Sequence, residues 1–388
     1  MTRLLIKLLA VFTIFAICIT FVMGQLAQSK ADYTLAFVSR ADNNREIWLV
    51  DTDTQILLNL SRHAEDDYAP TWSPDGSQLA FVSERDNNSE VYTYNPTTGQ
   101  LANISNNPAR DNSPQWLNTG ESLIFVSRRN GSGAEVHIID LNTGEMQNVS
   151  RYPGDDFAPI PVPSAADNTS LVLYTSNREG NIETFIRDIV SGRAINVSRH
   201  PADDYQPHWS FDGTYVSFES TRANGIETYI YNIDDETLFN LGLEDADDYA
   251  VDWSPMDDVI VFESTYSSDA DIYLYELATD TYTNLSNRDD HDKNPLWSPD
   301  GKHIIYVSYT DGAGDITLYT RETGEIRNLT QNNLDNFDPI WSPDSQQIAF
   351  IARDTNGSRL AMISINGGDV RYLAPYHDAI DTLIWKPK

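Results

Sequence analysis

The chain is poor in cysteine: of its 388 residues only Cys18 is one, and it falls inside an apolar N-terminal stretch. Neither disulfides nor thiolate metal sites can hold the rest together. Basic residues are scarce too, with 26 Lys and Arg against 58 Asp and Glu and a formal net charge of −32. Nucleic acid is excluded as a partner because phosphate binding needs a basic footprint, and direct contact with anionic headgroups is disfavoured likewise. Catalytic signatures are missing as well. The sequence has no H-E-x-x-H, no G-x-S-x-G elbow and no EF-hand loop. Histidines are dispersed at 63, 137, 200, 208, 291, 303 and 377, and only His200 and His208, flanking Asp203-Asp204, make a constellation suited to a metal or lyase site. No catalytic residue is assigned. Beyond the N-terminus no stretch has helical periodicity.

At the N-terminus, Arg3 and Lys7 lead into Leu8–Met23, apolar apart from Thr13 and Thr20. A short positive region before an apolar run reads as a secretory signal, cleaved after Gly24 or Ala31, or as an uncleaved anchor with its basic end in the cytoplasm. Residues 1–31 are assigned to this signal peptide or membrane anchor, and 32–388 to one exported domain. Membrane contact is expected only through that segment. Cys18 lacks the small preceding residue of a lipoprotein box.

What the chain does have is a repeat. Trp72, Trp116, Trp209, Trp253, Trp297, Trp341 and Trp385 recur about every 44 residues, and the long step after Trp116 hides a degenerate copy at Pro159-Ile160-Pro161. The best copy runs from Asp66 through Trp72 into Ser73-Pro74-Asp75-Gly76, where Pro presets φ and Gly suits the end of a type I turn. Nine residues after each tryptophan comes a Phe-x-Ser box, such as Phe81-Val82-Ser83 or Phe218-Glu219-Ser220. An acid then opens an alternating strand, as in Glu90-Val91-Tyr92-Thr93-Tyr94, and Asn-x-Ser closes the unit at Asn103, Asn148, Asn196 or Asn284. Four short strands rich in β-branched and aromatic residues make one antiparallel blade, which must stack on neighbours to bury its faces.

The count predicts closure. Phe37-Val38-Ser39, Glu46-Ile47-Trp48-Leu49-Val50 and Asn59-Leu60-Ser61 supply three strands without their first, while Asp381–Trp385 is a first strand that nothing follows. Joining the two completes an all-β, eight-bladed β-propeller and hides the strand edges of an open array. The alternative, seven blades, follows only if 155–198 is not a blade. Leu171–Ser176 and Glu183–Ile186 keep the boxes in order there.

Pro-x-Trp-Ser-Pro-Asp-Gly followed in step by Phe-x-Ser, the Glu-Ile-Tyr-like strand and Asn-Leu-Ser resembles the repeat of the TolB-type (WD40-like, PD40) β-propellers over roughly residues 33–387. The resemblance implies a rigid toroid used for protein binding in cell envelopes, and also found as a domain of some peptidases and polysaccharide lyases. Two departures from TolB stand out: no small α/β domain precedes the propeller, and eight blades replace six.

The acid is placed periodically. Five and six residues before each tryptophan position stand Asp66-Asp67, Arg110-Asp111, Asp155-Asp156, Asp203-Asp204, Asp247-Asp248, His291-Asp292 and Asp335-Asn336. Around a closed ring these place a circle of carboxylates near one channel mouth, suited to Ca²⁺ through oxygen ligands or to a cationic peptide. The alternative is local: each pair serves as a turn residue and acceptor for backbone N–H groups. Glu46, Glu90, Glu135, Glu183, Glu227, Asp271 and Asp315 are expected to pair with the Ser of the Phe-x-Ser box or a nearby Arg. The Trp and Phe boxes are expected to pack between blades. Tyr68, Phe157, Tyr205, Tyr249 and Phe337, beside the acids, are suited to stack on sugar rings or to pack between blades. The expected function is a non-catalytic, exported, monomeric scaffold docking a protein or a cationic ligand, with no cofactor required and Ca²⁺ as an optional one. The alternative is a lyase-like carbohydrate-active enzyme or sugar-binding protein.

Overall fold

The computed structural model describes residues 34–388 except 42–43, 132, 164–165, 167–168, 224, 244–245, 268, 288–290 and 311. The signal or anchor at 1–31 lies outside the described residues. The strands form eight four-stranded antiparallel sheets. The first strand of each is β4 (Asp67–Trp72), β8 (Asp111–Trp116), β12 (Asp156–Pro161), β16 (Asp204–Trp209), β20 (Asp248–Trp253), β24 (His291–Trp297), β28 (Asp335–Trp341) or β32 (Ala379–Trp385). First strands of neighbouring sheets touch, β4 with β8 and β32, β8 with β12, β20 with β16 and β24, and β28 with β32, as expected of strands lining the inner wall of a ring. Blades 2 to 8 begin with β4 to β28 in that order. The segment around 155–198 is a full blade, blade 4.

Blade 1 is closed from both chain ends. β32 pairs antiparallel with β1 (Leu35–Ala41), with Leu35 opposite Trp385, Phe37 opposite Leu383 and Arg40 opposite Ala379. The joint predicted from the box count is therefore present.

Packing between blades follows the alternation of the strands. Trp72, Leu79 and Phe81 of blade 2 bury against Ala36, Val38, Ile47 and Leu49 of blade 1, and the same pattern joins blades 7 and 8. The repeating tryptophans Trp72 to Trp341 are 4% to 8% exposed, so they are core residues as expected. Several also latch the ring: the Nε1 of Trp116, Trp209 and Trp341 donates to the backbone oxygen of Thr71, Ile160 and Leu296 in the preceding blade, each at 3.1 Å.

One backbone device repeats in every inner strand. Ala69, Ser113, Ala158, Gln206, Ala250, Asn294, Asp338 and Thr382 all have φ between 45° and 55°. Each sits three residues before the tryptophan position, where the ladder to the second strand skips a register. A left-handed non-glycine residue costs about 1 kcal/mol or more, and a bulge bends and twists the strand that carries it. The ring thus accepts the same strained residue in each of its inner strands.

Candidate functional site

The periodic acids stand at the start of the first strands, and where two occur side by side they do different work. The first is a latch to the preceding blade. Oδ1 of Asp66, Asp155, Asp203, Asp247 and Asp335 accepts the backbone N–H of Arg45, Ala134, Ile182, Ile226 and Gly314, at 2.7 to 3.0 Å. Arg45 and Arg128 add ion pairs to Asp66 (2.8 Å) and Asp155 (3.1 Å). These carboxylates stay partly exposed.

The second member is inside the wall. Asp67, Asp111, Asp156, Asp204, Asp248 and Asp292 are at most 1% exposed. They do not present the carboxylate surface expected at the channel mouth. For the first four the physical reason is an arginine two residues after the serine of the second-strand box. Arg85, Arg129, Arg178 and Arg222 fold back onto Asp67 (3.0 Å), Asp111 (3.1 Å), Asp156 (2.9 Å) and Asp204 (2.9 Å). Each Nε also donates to Ser83, Ser127, Ser176 or Ser220 at 2.7 to 2.8 Å. Arg178 lies 4.3 Å from the Phe185 ring centroid and Arg222 lies 4.2 Å from that of Tyr229, a cation–π contact. The fixed Ser-x-Arg offset was the sequence signal for these pairs.

The acids opening the third strands also find partners other than those expected. They pair neither with the Phe-x-Ser serine nor with these arginines but with the Asn-x-Ser box of their own blade. Asn148 donates to Glu135 at 2.9 Å, Asn284 to Asp271 at 2.8 Å and Asn328 to Asp315 at 2.7 Å. Ser105 and Ser198 donate to Glu90 (2.5 Å) and Glu183 (2.7 Å), while Asn59 and Asn240 reach Glu46 and Glu227.

Past blade 5 the arginine module stops. In blade 6, Ser264 is followed by Thr265 and Tyr266, and the phenol of Tyr282 donates instead to the Leu241 oxygen at 2.8 Å. Burial pushes the Asp248 carboxyl up to about 6, although Ser264 and the Leu243 N–H favour its charged form. In blade 8, Asn336 replaces the aspartate.

Two further acids lie at the middle position of the Phe-x-Ser boxes. Glu219 and Glu263 stand where other blades carry Val82, Val126, Val307 or Ile351. They are 9% and 1% exposed. Each accepts the N–H of the next blade's bulge residue, Ala250 at 3.2 Å and Asn294 at 3.4 Å. Burial raises both carboxyls, with Lys293 partly offsetting this at Glu263. Asp252 accepts the Trp297 N–H at 2.6 Å. It reaches solvent in part yet is surrounded by protein, and burial pushes its carboxyl up to about 7. Among the described residues none of Glu219, Asp248, Asp252 and Glu263 forms a salt bridge.

The Asp252 shift sets a pH test. A carboxyl raised in the folded state holds its proton where the unfolded chain has lost it, so its contribution is full at low pH and is lost as pH rises through about 7. Asp252→Asn keeps the acceptor for Trp297 and removes the ionisation. The variant should gain roughly 1–2 kcal/mol over the wild type at pH 8, after solvent screening is allowed for, and little at about pH 3.5, below the unfolded carboxyl's value. Denaturant melts at both pH values measure the difference; equal gains would refute the assignment.

At the ring joint a histidine stands in for the arginine. His377 Nδ1 and Ser39 Oγ are 2.9 Å apart, and the ring meets Phe37 and Trp48 edge-on at 5.9 and 5.6 Å. Ile380 occupies the aspartate position, so no acid is buried there. Burial depresses His377, which Asp378 offsets in part. A depressed histidine contributes stability that is complete above the unfolded value, about 6.5, and falls away below it. The melting midpoint should therefore drop as pH falls from 7 to 5, and the drop should shrink in His377→Gln.

The candidate aromatics separate likewise. Tyr68 and Phe337 lie under Arg45 and Arg353, each 4.1 Å from the ring centroid. Tyr249 faces Glu263. Phe157, which is 37% exposed, and Tyr205 instead wall a cleft of about 510 Å³ with Ile160, Ile182, Pro207 and His208. His200 and His208 do not assemble a metal site: His200 Nδ1 accepts the Ala202 N–H at 3.2 Å, and no group of three or more His, Cys, Asp or Glu is arranged to hold a metal among the described residues.

No curated protein sequence matches the chain. Among solved structures, Porphyromonas gingivalis dipeptidyl peptidase 4 superposes with a TM-score of 0.61 at 13% identity, covering 85% of this chain and 55% of that one. A prolyl endopeptidase gives 0.60 at 13% identity, covering 81% and 50%. An oligogalacturonate lyase in complex with manganese gives 0.56 at 13% identity, covering 86% and 98%. The chain spans about half the length of the two peptidases. At such identities the likeness is one of fold. The TolB beta propeller domain model (PD40) matches residues 25–134, 132–265 and 248–382. With the box order, the closed ring and these matches in hand, the chain belongs to the TolB β-propeller family.

Proposed function

We propose that the protein is an exported, non-catalytic scaffold that docks a cationic segment of a partner protein on the inner wall of blades 5 and 6. One observation carries this reading. Blades 2 to 5 neutralise their buried aspartates with their own arginines, whereas Glu219, Asp248, Asp252 and Glu263 have no such ion pair among the described residues. Concave acidic walls focus potential and raise the local concentration of cations, and a net charge of −32 adds to the attraction. Export rests on the N-terminal positive region and apolar run. Fluorescence anisotropy with a labelled nona-arginine peptide tests the reading. Binding should weaken steeply with added salt, and the Glu219→Gln/Glu263→Gln double variant should lose at least about tenfold in affinity. Salt-independent binding, or none, would refute it.

A sugar-binding reading is favoured by a different observation, the exposed face of Phe157 beside Tyr205 in the blade 4–5 cleft. Calorimetry with acidic oligosaccharides decides it: heat that is abolished by Phe157→Ala would place a carbohydrate there.

A further inference from the structure

The turns that follow the inner strands lie at the end opposite the aspartates, just past the tryptophans. Blades 2, 7 and 8 build them from Ser-Pro-Asp, at Ser73-Pro74-Asp75, Ser298-Pro299-Asp300 and Ser342-Pro343-Asp344. Blades 5 and 6 break the pattern side by side. Phe211 takes the proline position and is 50% exposed, while Met256 takes the aspartate position and is 70% exposed. Neither side chain is needed for its turn, because Asp212 and Asp257 still accept the Ser210 and Ser254 hydroxyls at 2.7 and 2.6 Å. Phe211 and Met256 flank one hollow of about 140 Å³. A single water needs about 10–15 Å³, so a side chain has room to enter.

Three carboxylates border the same hollow, and two of them are engaged. Thr214 donates to Asp212 from its N–H at 2.9 Å and its Oγ1 at 2.7 Å, and Arg321 pairs with Asp257 at 2.8 Å. The third, Asp258, stands where other copies carry Ser77, Thr214, Lys302 or Gln346. It is exposed, and among the described residues its carboxylate takes no hydrogen bond and no ion pair. Burial, and then the neighbouring charges of Asp212 and Asp257, raise the Asp258 carboxyl. Crowding of this kind is relieved by a cation.

We infer that this hollow receives a lysine side chain presented by a partner protein, its methylene stem between Phe211 and Met256 and its ammonium against Asp258 and Asp212. The stem covers apolar surface that the turns leave in water, as long cationic side chains do elsewhere. Charge complementarity selects the head group, because an uncharged residue would fill the hollow and leave Asp258 crowded. An ammonium is a compact point charge whose three donors can be divided between two carboxylates, whereas a guanidinium fork matches one. Arg321 already holds that fork position on Asp257. Glu219 and Glu263 pair with the opposite ends of the inner strands, at Tyr205 and Tyr249, so this contact does not depend on the inner-wall reading.

The chain has five methionines, so methionine ¹³C-methyl labelling gives a sparse probe of the hollow in the full chain. Met256→Leu identifies the Met256 signal. Nα-acetyl-lysine N-methylamide should shift that signal to saturation and leave those of Met146 and Met362, in other blades, in place. The norleucine analogue keeps the stem without the ammonium and should bind about threefold more weakly, within the usual worth of one exposed charge contact. Asp258→Asn should erase that difference, as a double-mutant cycle requires. Phe211→Pro, which installs the residue of the other copies, should weaken both ligands about threefold. Both substitutions fall at exposed turn positions and should leave folding intact. The Glu219→Gln/Glu263→Gln double variant should bind the lysine derivative as the wild type does, which separates this contact from the inner wall. An unmoved Met256 signal, equal affinity for the lysine and norleucine derivatives, or a lysine preference that survives Asp258→Asn would overturn the inference. Unchanged affinity in Phe211→Pro, or loss of binding in the double glutamine variant, would overturn it as well.

Discussion

Arg178→Ala is expected to destabilise the propeller by about 3–5 kcal/mol, the usual cost of stranding one member of a buried ion pair. The side chains of Arg178 and Asp156 are 9% and 1% exposed and meet at 2.9 Å. The guanidinium also donates to Tyr174 Oη at 3.0 Å and to Ser176 Oγ at 2.8 Å, and it covers the Phe185 ring. Truncation therefore removes a cation, two hydrogen bonds and a stacked plane while leaving Asp156 in a dry wall. Equilibrium denaturation measures the loss. A second variant identifies its origin: Asp156→Leu with Arg178→Met removes both charges and should recover most of the stability, because buried pairs exchanged for apolar residues are often neutral. If the double variant is as unstable as the single one, packing and not stranded charge accounts for the cost.

Ending the chain after Asp378 should abolish cooperative folding. The deletion removes β32, leaving β1 without its ladder from Leu35 to Arg40. It also uncovers Leu35 and Phe37, both fully buried, and takes away Ile380 and Leu383, which pack on them. An apolar strand edge left open is a template for association between molecules. Gel filtration should show self-association, and the thermal transition should broaden or vanish. Removing only residues 386–388 should have little effect, since the backbone bond from Lys386 to Thr34 and the exposed ion pair of Lys388 with Asp344 at 3.4 Å lie at the rim of the joint. A monomeric truncated protein that still melts sharply would mean the ring does not depend on its joint.

The architecture was readable from the sequence because each blade is specified by side chains at fixed intervals. Trp72, Phe81 and Ser73-Pro74-Asp75-Gly76 encode packing and turn, and their recurrence counts the blades. That the strand at Trp385 joins the sheet of Phe37 followed from arithmetic on incomplete boxes, whereas its register did not. The site was less legible, because it depends on which residues meet through space. Asp67 and Arg85 lie 18 positions apart in sequence, so their ion pair shows only as two separate periodicities. The periodic aspartates looked like one class, yet the shift of a single residue sends Asp66 to the blade boundary and Asp67 into the wall. Glu219 and Glu263 were hidden for the opposite reason: they occupy the variable position of an otherwise regular box, where the repeat gives no reason to look.

The left-handed residue shared by every inner strand carries a consequence for how such a pore can diversify. Alanine, serine, glutamine, asparagine, aspartate and threonine all occupy that position with nearly the same torsion. Curvature is written in the main chain and tolerates whichever side group is attached. A lumen shaped in this way can be re-lined one residue at a time, acquiring a new chemical lining while its diameter and its seams stay as they were.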